Sequence, residues 1–138
     1  MEHVAQFPIS ETPRRLGRST GAVLVGLITI LVTHTGTDAI LHAAGVYPKA
    51  GVTMSAGLFG LALAYRTVFS VLGAYVTARL APQRPLKHAL VLGGIGSVVS
   101  LAGVVANLVY PEMGPLWYPL ALLTLTLPCC YLGAKLVK

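Results

Sequence analysis

Three side chains that can exchange protons or bind metal ions lie close together in an otherwise apolar segment. His34, Asp38 and His42 are spaced four residues apart, so a helix places them on one face. Asp and His chains inside membranes commonly carry protons, and imidazole and carboxylate groups are also metal ligands. This stripe therefore fits three alternatives, which are a metal site, a proton or cation relay, and a structural cluster.

An arginine, Arg66, lies near the middle of a second apolar segment, Gly57–Leu80, which is long enough to span a bilayer. A guanidinium at that depth costs several kcal/mol unless a polar partner offsets it. We therefore predict an intramembrane cluster of polar side chains, the polar cluster, formed by His34, Asp38, Tyr65 and Arg66. His42 is a possible relay residue beside it.

The levels of the two charges in the membrane differ when they are counted from the turn at Pro48. Asp38 lies ten residues before Pro48 and Arg66 eighteen residues after it, which corresponds to about 12 Å of helical rise. Arginine is long and can extend toward a partner at another level. We therefore expect a hydrated cluster rather than a bidentate Asp38–Arg66 pair.

A metal site is the least favoured of the three alternatives. His34 and His42 are about 12 Å apart on a straight helix, too far for the whole stripe to bind one ion. The two cysteines, Cys129 and Cys130, are adjacent and lack the spacing of a zinc site or of a disulfide framework. We expect them to be reduced packing residues, and we expect no metal and no other cofactor.

The composition places the chain in a membrane. Of its 138 residues, 55% are hydrophobic and only 10% are charged, whereas soluble proteins have about 25% charged residues. The net charge of +6 comes from basic residues that flank apolar runs, which is typical of topology signals and headgroup contacts. We therefore expect the lipid bilayer as a partner, and no nucleic acid.

Proline and glycine clusters divide the chain into four apolar spans. The predicted organisation is a cytoplasmic tail over 1–18 and a membrane domain over 19–138, with helices over about 19–45, 53–80, 86–109 and 116–136. A cleaved signal peptide is the alternative for the first span, because basic residues precede an apolar run over 21–32. The apolar pattern resumes after Asp38, and this favours a retained helix.

Short connections between the spans predict an all-α, up-down-up-down bundle of four transmembrane helices. Lys49 is the only Lys or Arg on one side, while the other side carries Arg14, Arg15, Arg18, Arg79, Arg84, Lys87, Lys135 and Lys138. Both termini are therefore expected in the cytoplasm. The aromatic residues expected at the opposite membrane interface are Tyr47, Tyr110, Trp117 and Tyr118.

Small residues indicate where helices pack, because they let backbones approach closely. The third helix carries Gly93-x3-Ser97 and Gly96-x3-Ser100, so we expect it to be the most enclosed helix or a self-association face. On the second helix, the face of Arg66 continues through Ser70, Gly73 and Thr77 and should meet protein or a narrow hydrated crevice. Four short helices make a thin bundle, and we expect a homo-oligomer or a partner membrane protein.

Several strings resemble a group of uncharacterised small bacterial four-helix integral membrane proteins. They are Thr37-Asp38, Tyr65-Arg66-Thr67-Val68, the stretch 73–82, His88-Ala89-Leu90 and Trp117-Tyr118-Pro119-Leu120. The resemblance covers about residues 19–138 and implies a multi-pass protein of the bacterial cytoplasmic (inner) membrane, without an activity. Small multidrug transporters share the four-helix size but place a glutamate in the first helix, where this chain has Asp38, so no residue role is carried over from them.

The sequence contains no catalytic constellation. A Ser-His-Asp order, a phosphate loop, a Rossmann glycine set and an H-E-x-x-H motif are all missing, so we predict that the protein is not an enzyme. The favoured function is a non-catalytic membrane component or accessory subunit, held together by His34, Asp38 and Arg66. The alternative is a small oligomeric transporter or channel subunit that uses Asp38 and His34 for proton or cation coupling.

Overall fold

The computed structural model describes residues 13–137, which form four α-helices and no strand. The helices are α1 (Pro13–Ala43), α2 (Ala56–Leu80), α3 (Pro85–Val109) and α4 (Trp117–Lys135), with a short 3-10 helix over Pro111–Met113 before α4. Each α-helix is long and apolar enough to cross a membrane. The predicted all-α class with four apolar spans is therefore confirmed. Residues 1–12 of the predicted tail, and Lys138, lie outside the described residues.

Helix α1 begins at Pro13, within the stretch predicted as a tail, and ends at Ala43. Gly45 follows with a φ of +75°, a left-handed conformation that glycine adopts readily. The amide of Gly45 donates to the carbonyl of His42, and the amide of Val46 donates to that of Leu41. These two bonds form a Schellman motif, so the chain leaves α1 before residue 45, where the sequence analysis had ended the helix.

The other helix ends also follow local chemistry. Ser55 lies before α2 in an extended conformation, and its side chain accepts a hydrogen bond from the amide of Leu58, as an N-cap residue does. Ala81 ends α2 in an extended conformation, as expected for a residue before Pro82. Pro85 begins α3, at a position where proline's missing amide hydrogen is tolerated.

Helix α2 packs extensively against both α1 and α4, whereas α3 packs mainly against α4. Small residues lie at these contacts. A Cβ atom on Gly26 of α1 would lie 2.7 Å from the carbonyl oxygen of Gly73 of α2, and one on Gly133 of α4 would lie 2.7 Å from Cβ of Ala74. Helices in membranes associate closely through such residues.

Small side chains also dominate the buried core, which contains Ala74, Ala78, Ala89, Leu92, Cys130 and Ala134. Cys129 and Cys130 are buried and unbonded to each other. Helix α4 buries a larger share of its apolar window than α3 does, because α4 lies against both α2 and α3. Of the two alternatives expected for α3, the most enclosed helix is therefore wrong, while a self-association face stays a prediction.

Candidate functional site: a polar cluster beside an internal cavity

Asp38 is the centre of the polar cluster, and both oxygens of its carboxylate have partners on α2. Nη2 of Arg66 lies 2.6 Å from Oδ2, and the hydroxyl of Tyr65 donates to Oδ1. Asp38 therefore contacts Arg66 directly through one nitrogen rather than as a bidentate pair. Charge-assisted bonds of this kind are about twice as strong as bonds between neutral groups, so the carboxylate ties α1 to two consecutive residues of α2.

His34 also links α1 to α2 at the polar cluster. Its Nε2 donates to the backbone carbonyl of Arg66 at 3.2 Å, which assigns the ring proton to Nε2 in the neutral form. The structure thus brings together all four residues that the sequence places in the polar cluster. His34 contacts the backbone of Arg66, whereas Asp38 contacts its guanidinium.

Tyr47 is a fifth participant, which the sequence analysis did not include in the polar cluster. Its hydroxyl lies 2.9 Å from that of Tyr65, and because the Tyr65 proton goes to Asp38, Tyr47 is the donor. Only 5% of Tyr47 is exposed, so its ring packs against the protein. The turn that follows α1 at Gly45 directs the chain back over the polar cluster, and local sequence patterns do not reveal this.

His42 lies beside the polar cluster but does not join its hydrogen bonds. Nδ1 of His42 donates to the backbone carbonyl of Asp38 at 2.8 Å, which is a bond within α1 and not a contact with the carboxylate. The His42 ring packs edge-on against the Tyr47 ring, with 5.2 Å between centroids. His42 is exposed, so this predicted relay residue borders the cluster from outside.

Asp38 and Arg66 contact each other directly because the connection between their helices is not helical. Helix α1 ends five residues after Asp38, and α2 begins ten residues before Arg66. The intervening residues 44–55 add no helical rise, so the difference in level falls to about 8 Å. The long arginine side chain can cover much of that difference. The gap is therefore smaller than expected from counting to Pro48.

A cavity of about 400 Å³ lies between the four helices next to the polar cluster. Its volume is within the range of small-molecule sites, and its walls are mostly apolar, with Leu27, Leu92 and Leu122 among them. The polar side chains on its walls are His34, Arg66, Thr67, Ser70, Ser100, Asn107, Tyr118 and Thr126. Asp38 does not line it, so the cation of the ion pair borders the cavity and the anion does not.

Arg66 keeps one hydrogen-bond donor that the ion pair does not use. Its Nε is buried and makes no hydrogen bond with the residues described, although Nη2 is bound to Asp38. Tyr118, predicted as an interfacial residue, lines the same cavity. Its ring packs 5.1 Å from the ring of Phe59, centroid to centroid. An aromatic pair thus closes part of the wall near Arg66.

The four small residues predicted to mediate packing on α3 have different surroundings. A Cβ on Gly93 would contact Cys130, and one on Gly96 would contact Thr126, so these two glycines face α4. Ser100 lines the cavity. The hydroxyl of Ser97 is buried without a hydrogen-bond partner among the described residues. The motif therefore serves contact with α4 and the cavity wall.

Within residues 13–137, no group of three His, Cys, Asp or Glu side chains is arranged to hold a metal ion. The chemistry of the site consequently rests on the ion pair, the two tyrosines and the neighbouring cavity. Comparison with protein-family models, with curated proteins and with solved structures finds no match for this chain.

Proposed function

We propose that this chain is a non-catalytic component or accessory subunit of a bacterial cytoplasmic membrane, with four helices running up-down-up-down and both termini in the cytoplasm. Two contacts between α1 and α2 support the antiparallel arrangement. Gly26 meets Gly73, and Asp38 meets Arg66, so residue numbers rise along α1 as they fall along α2. The excess of Lys and Arg at one side supports the orientation, and the resemblance described above supports the bacterial location.

The full pairing of the Asp38 carboxylate carries this proposal. Both oxygens of Asp38 are occupied by Arg66 and Tyr65, and the hydroxyl of Tyr65 also accepts from Tyr47. The opposite charges neutralise each other, which lowers the cost of keeping either one in an apolar helix. A carboxylate whose two oxygens are both hydrogen-bonded suits a structural link between α1 and α2 better than a reactive centre.

An accessory role predicts that the protein does not function alone. Long apolar side chains on the surface, such as Val98 at 69% exposure and Ile40 at 68%, offer area for lipid or for another membrane helix. We expect purification in mild detergent to give a homo-oligomer or a stoichiometric partner, measured by size-exclusion chromatography with light scattering. Increasing the detergent-to-protein ratio is the control, since chance co-occupancy of micelles disappears on dilution. A monomer without a partner contradicts the proposal.

A small oligomeric transporter or channel subunit is the second candidate, and the cavity favours it. His34 and Arg66 line the cavity. The side chains of Arg66 and Asp38 are 26% and 28% exposed. A proton or cation that reached Asp38 and His34 would weaken the ion pair. Intramembrane carboxylates and histidines serve this purpose in pumps and transporters.

Flux in proteoliposomes tests the second candidate. Transport through the site predicts pH-dependent flux that is lost in Asp38→Asn. It also predicts near-complete loss in Gly103→Leu, because Gly103 lines the cavity and no other residue lies within 4 Å of its added Cβ. Gly94→Leu is the matched control on α3, since Gly94 has the same open space but does not line the cavity. Flux that persists in Asp38→Asn excludes Asp38 from coupling.

A further inference from the structure

A second cavity, of about 300 Å³, lies between the start of α1 and the connection from α2 to α3. Its polar lining consists of Arg15, Ser19, Gln83, Arg84, Lys87 and His88. We name this cavity the basic cleft, since four of these six residues are Arg, Lys or His and none is an acid. Cationic side chains from two parts of the chain thus surround one recess.

Carboxylates on the described part of the chain do not neutralise the basic cleft. The acids within residues 13–137 are Asp38 and Glu112, and neither lines it. Asp38 is bound to Arg66 in the only salt bridge among these residues. Glu112 lies in the short 3-10 helix before α4. Clustered cations attract an anion.

The backbone fixes Arg84 at the edge of the basic cleft. Arg84 has a φ of +48°, a left-handed conformation that is uncommon for a residue with a side chain. Its carbonyl accepts hydrogen bonds from the amide of Lys87 at 3.0 Å and from Nδ1 of His88 at 3.1 Å. Pro85 begins α3 directly after it. Arg84 is thereby held at the positive end of a helix dipole, which favours negative charge.

Apolar residues complete the basic cleft and indicate the kind of anion. Leu16 of α1 and Val91 of α3 also line it, and they are 55% and 49% exposed. Both belong to helices long and apolar enough to span a membrane. The cleft therefore joins a cationic recess to surfaces that acyl chains can cover. This arrangement matches a lipid better than free phosphate, which has no apolar part.

We propose that the basic cleft binds the headgroup phosphate of an anionic phospholipid. Arginine matches phosphate oxygens with paired donors, and Lys87 adds a second positive charge. A zwitterionic headgroup also contains phosphate, but its ammonium group is repelled by the cations of the cleft. The inference rests on the membrane placement proposed above. It does not depend on the accessory or transport role.

Native mass spectrometry of the full chain, released from detergent, tests this site with phosphatidylglycerol and phosphatidylcholine as probes. We expect one saturable phosphatidylglycerol and no saturable phosphatidylcholine. Arg84→Gln should weaken phosphatidylglycerol binding about tenfold, as expected for the loss of a charge-assisted bond. Arg79→Gln is the matched control, because Arg79 is exposed in the last turn of α2 and does not line the cleft. The affinity of the Arg79→Gln variant for phosphatidylglycerol should remain within about twofold of that of the unchanged chain.

The remaining outcomes also decide the proposal. Equal losses in Arg84→Gln and Arg79→Gln, or equal binding of the two lipids, mean general surface charge and overturn it. Displacement of phosphatidylglycerol by millimolar inorganic phosphate means a site for soluble phosphate and overturns the lipid assignment. If Arg84→Gln fails to fold, Lys87→Gln replaces it, and unchanged binding there overturns the proposal. A monomeric protein that still binds phosphatidylglycerol contradicts only the accessory role.

Discussion

Gly26→Ala is expected to destabilise the protein by about 2–3 kcal/mol, the upper part of the range for overpacking a tight contact. A Cβ at Gly26 would lie 2.7 Å from the carbonyl oxygen of Gly73 and would also collide with the side chain of Thr77. Thr77 has no exposed surface, so it has little room to move. From the opposite helix, a Cβ at Gly73 would likewise lie 2.9 Å from the carbonyl oxygen of Gly26. The two backbones therefore must separate to admit one methyl group.

Unfolding in mixed micelles, titrated with a denaturing detergent, measures this effect. Gly36→Ala is the control on the same helix, because no other residue lies within 4 Å of its added Cβ. It should leave the midpoint unchanged or raise it slightly, since alanine is the better helix former. Equal midpoints for Gly26→Ala and Gly36→Ala would show that α1 and α2 do not approach closely at Gly26.

The number of helices and most of their bounds are local properties, which the sequence encodes through apolar runs and Pro or Gly clusters. The pairing of helices is not local. Gly26 and Gly133 cannot be identified as helix contacts from the sequence, because an isolated glycine in an apolar helix does not identify what lies opposite it. The face through Ser70, Gly73 and Thr77 was predicted to meet protein or a narrow hydrated crevice. Gly73 and Thr77 are buried, and Ser70 lines the cavity. The partner of this face on α1 emerges only from the structure.

The polar cluster follows the same division. Charge in an apolar span demands a countercharge, so Asp38 and Arg66 could be paired from their types alone. Tyr47 could not be predicted as a participant, because its position depends on how residues 44–55 fold back over α2. The cavity could not be predicted either, since it is lined by side chains from all four helices. Features that need three or more segments together leave little trace in local spacing.

Arg66 and His34 are the residues that the polar cluster and the cavity share. Nη2 of Arg66 contacts Asp38, and the Arg66 side chain also lines the cavity. A pure fastening requires only that the two charges cancel. Transport requires, in addition, that the carboxylate can change its charge. Removing both charges together meets the first requirement and not the second. Arg66→Leu combined with Asp38→Asn therefore separates stability from function.

Arg66→Leu is expected to destabilise the protein by about 3 kcal/mol, because it leaves Asp38 charged and without a countercharge in an apolar helix. Arg66→Leu combined with Asp38→Asn should recover most of this loss. The combined variant retains no charge there, and its amide oxygen can still accept from Tyr65. Arg79→Leu is the control for arginine loss on the same helix, and as an exposed residue in the last turn it should change stability by less than about 0.5 kcal/mol.

The double-mutant cycle measures the coupling free energy between Asp38 and Arg66 directly, through detergent unfolding of the four variants. A combined variant no more stable than Arg66→Leu removes the support for the pairing. If stability recovers and the oligomer or partner complex is retained, neutralising the two charges is all that the cluster does, and the accessory role follows. If stability recovers while pH-dependent flux of the unchanged protein is lost, Asp38 has a role beyond fastening, because the fold has survived without its charge.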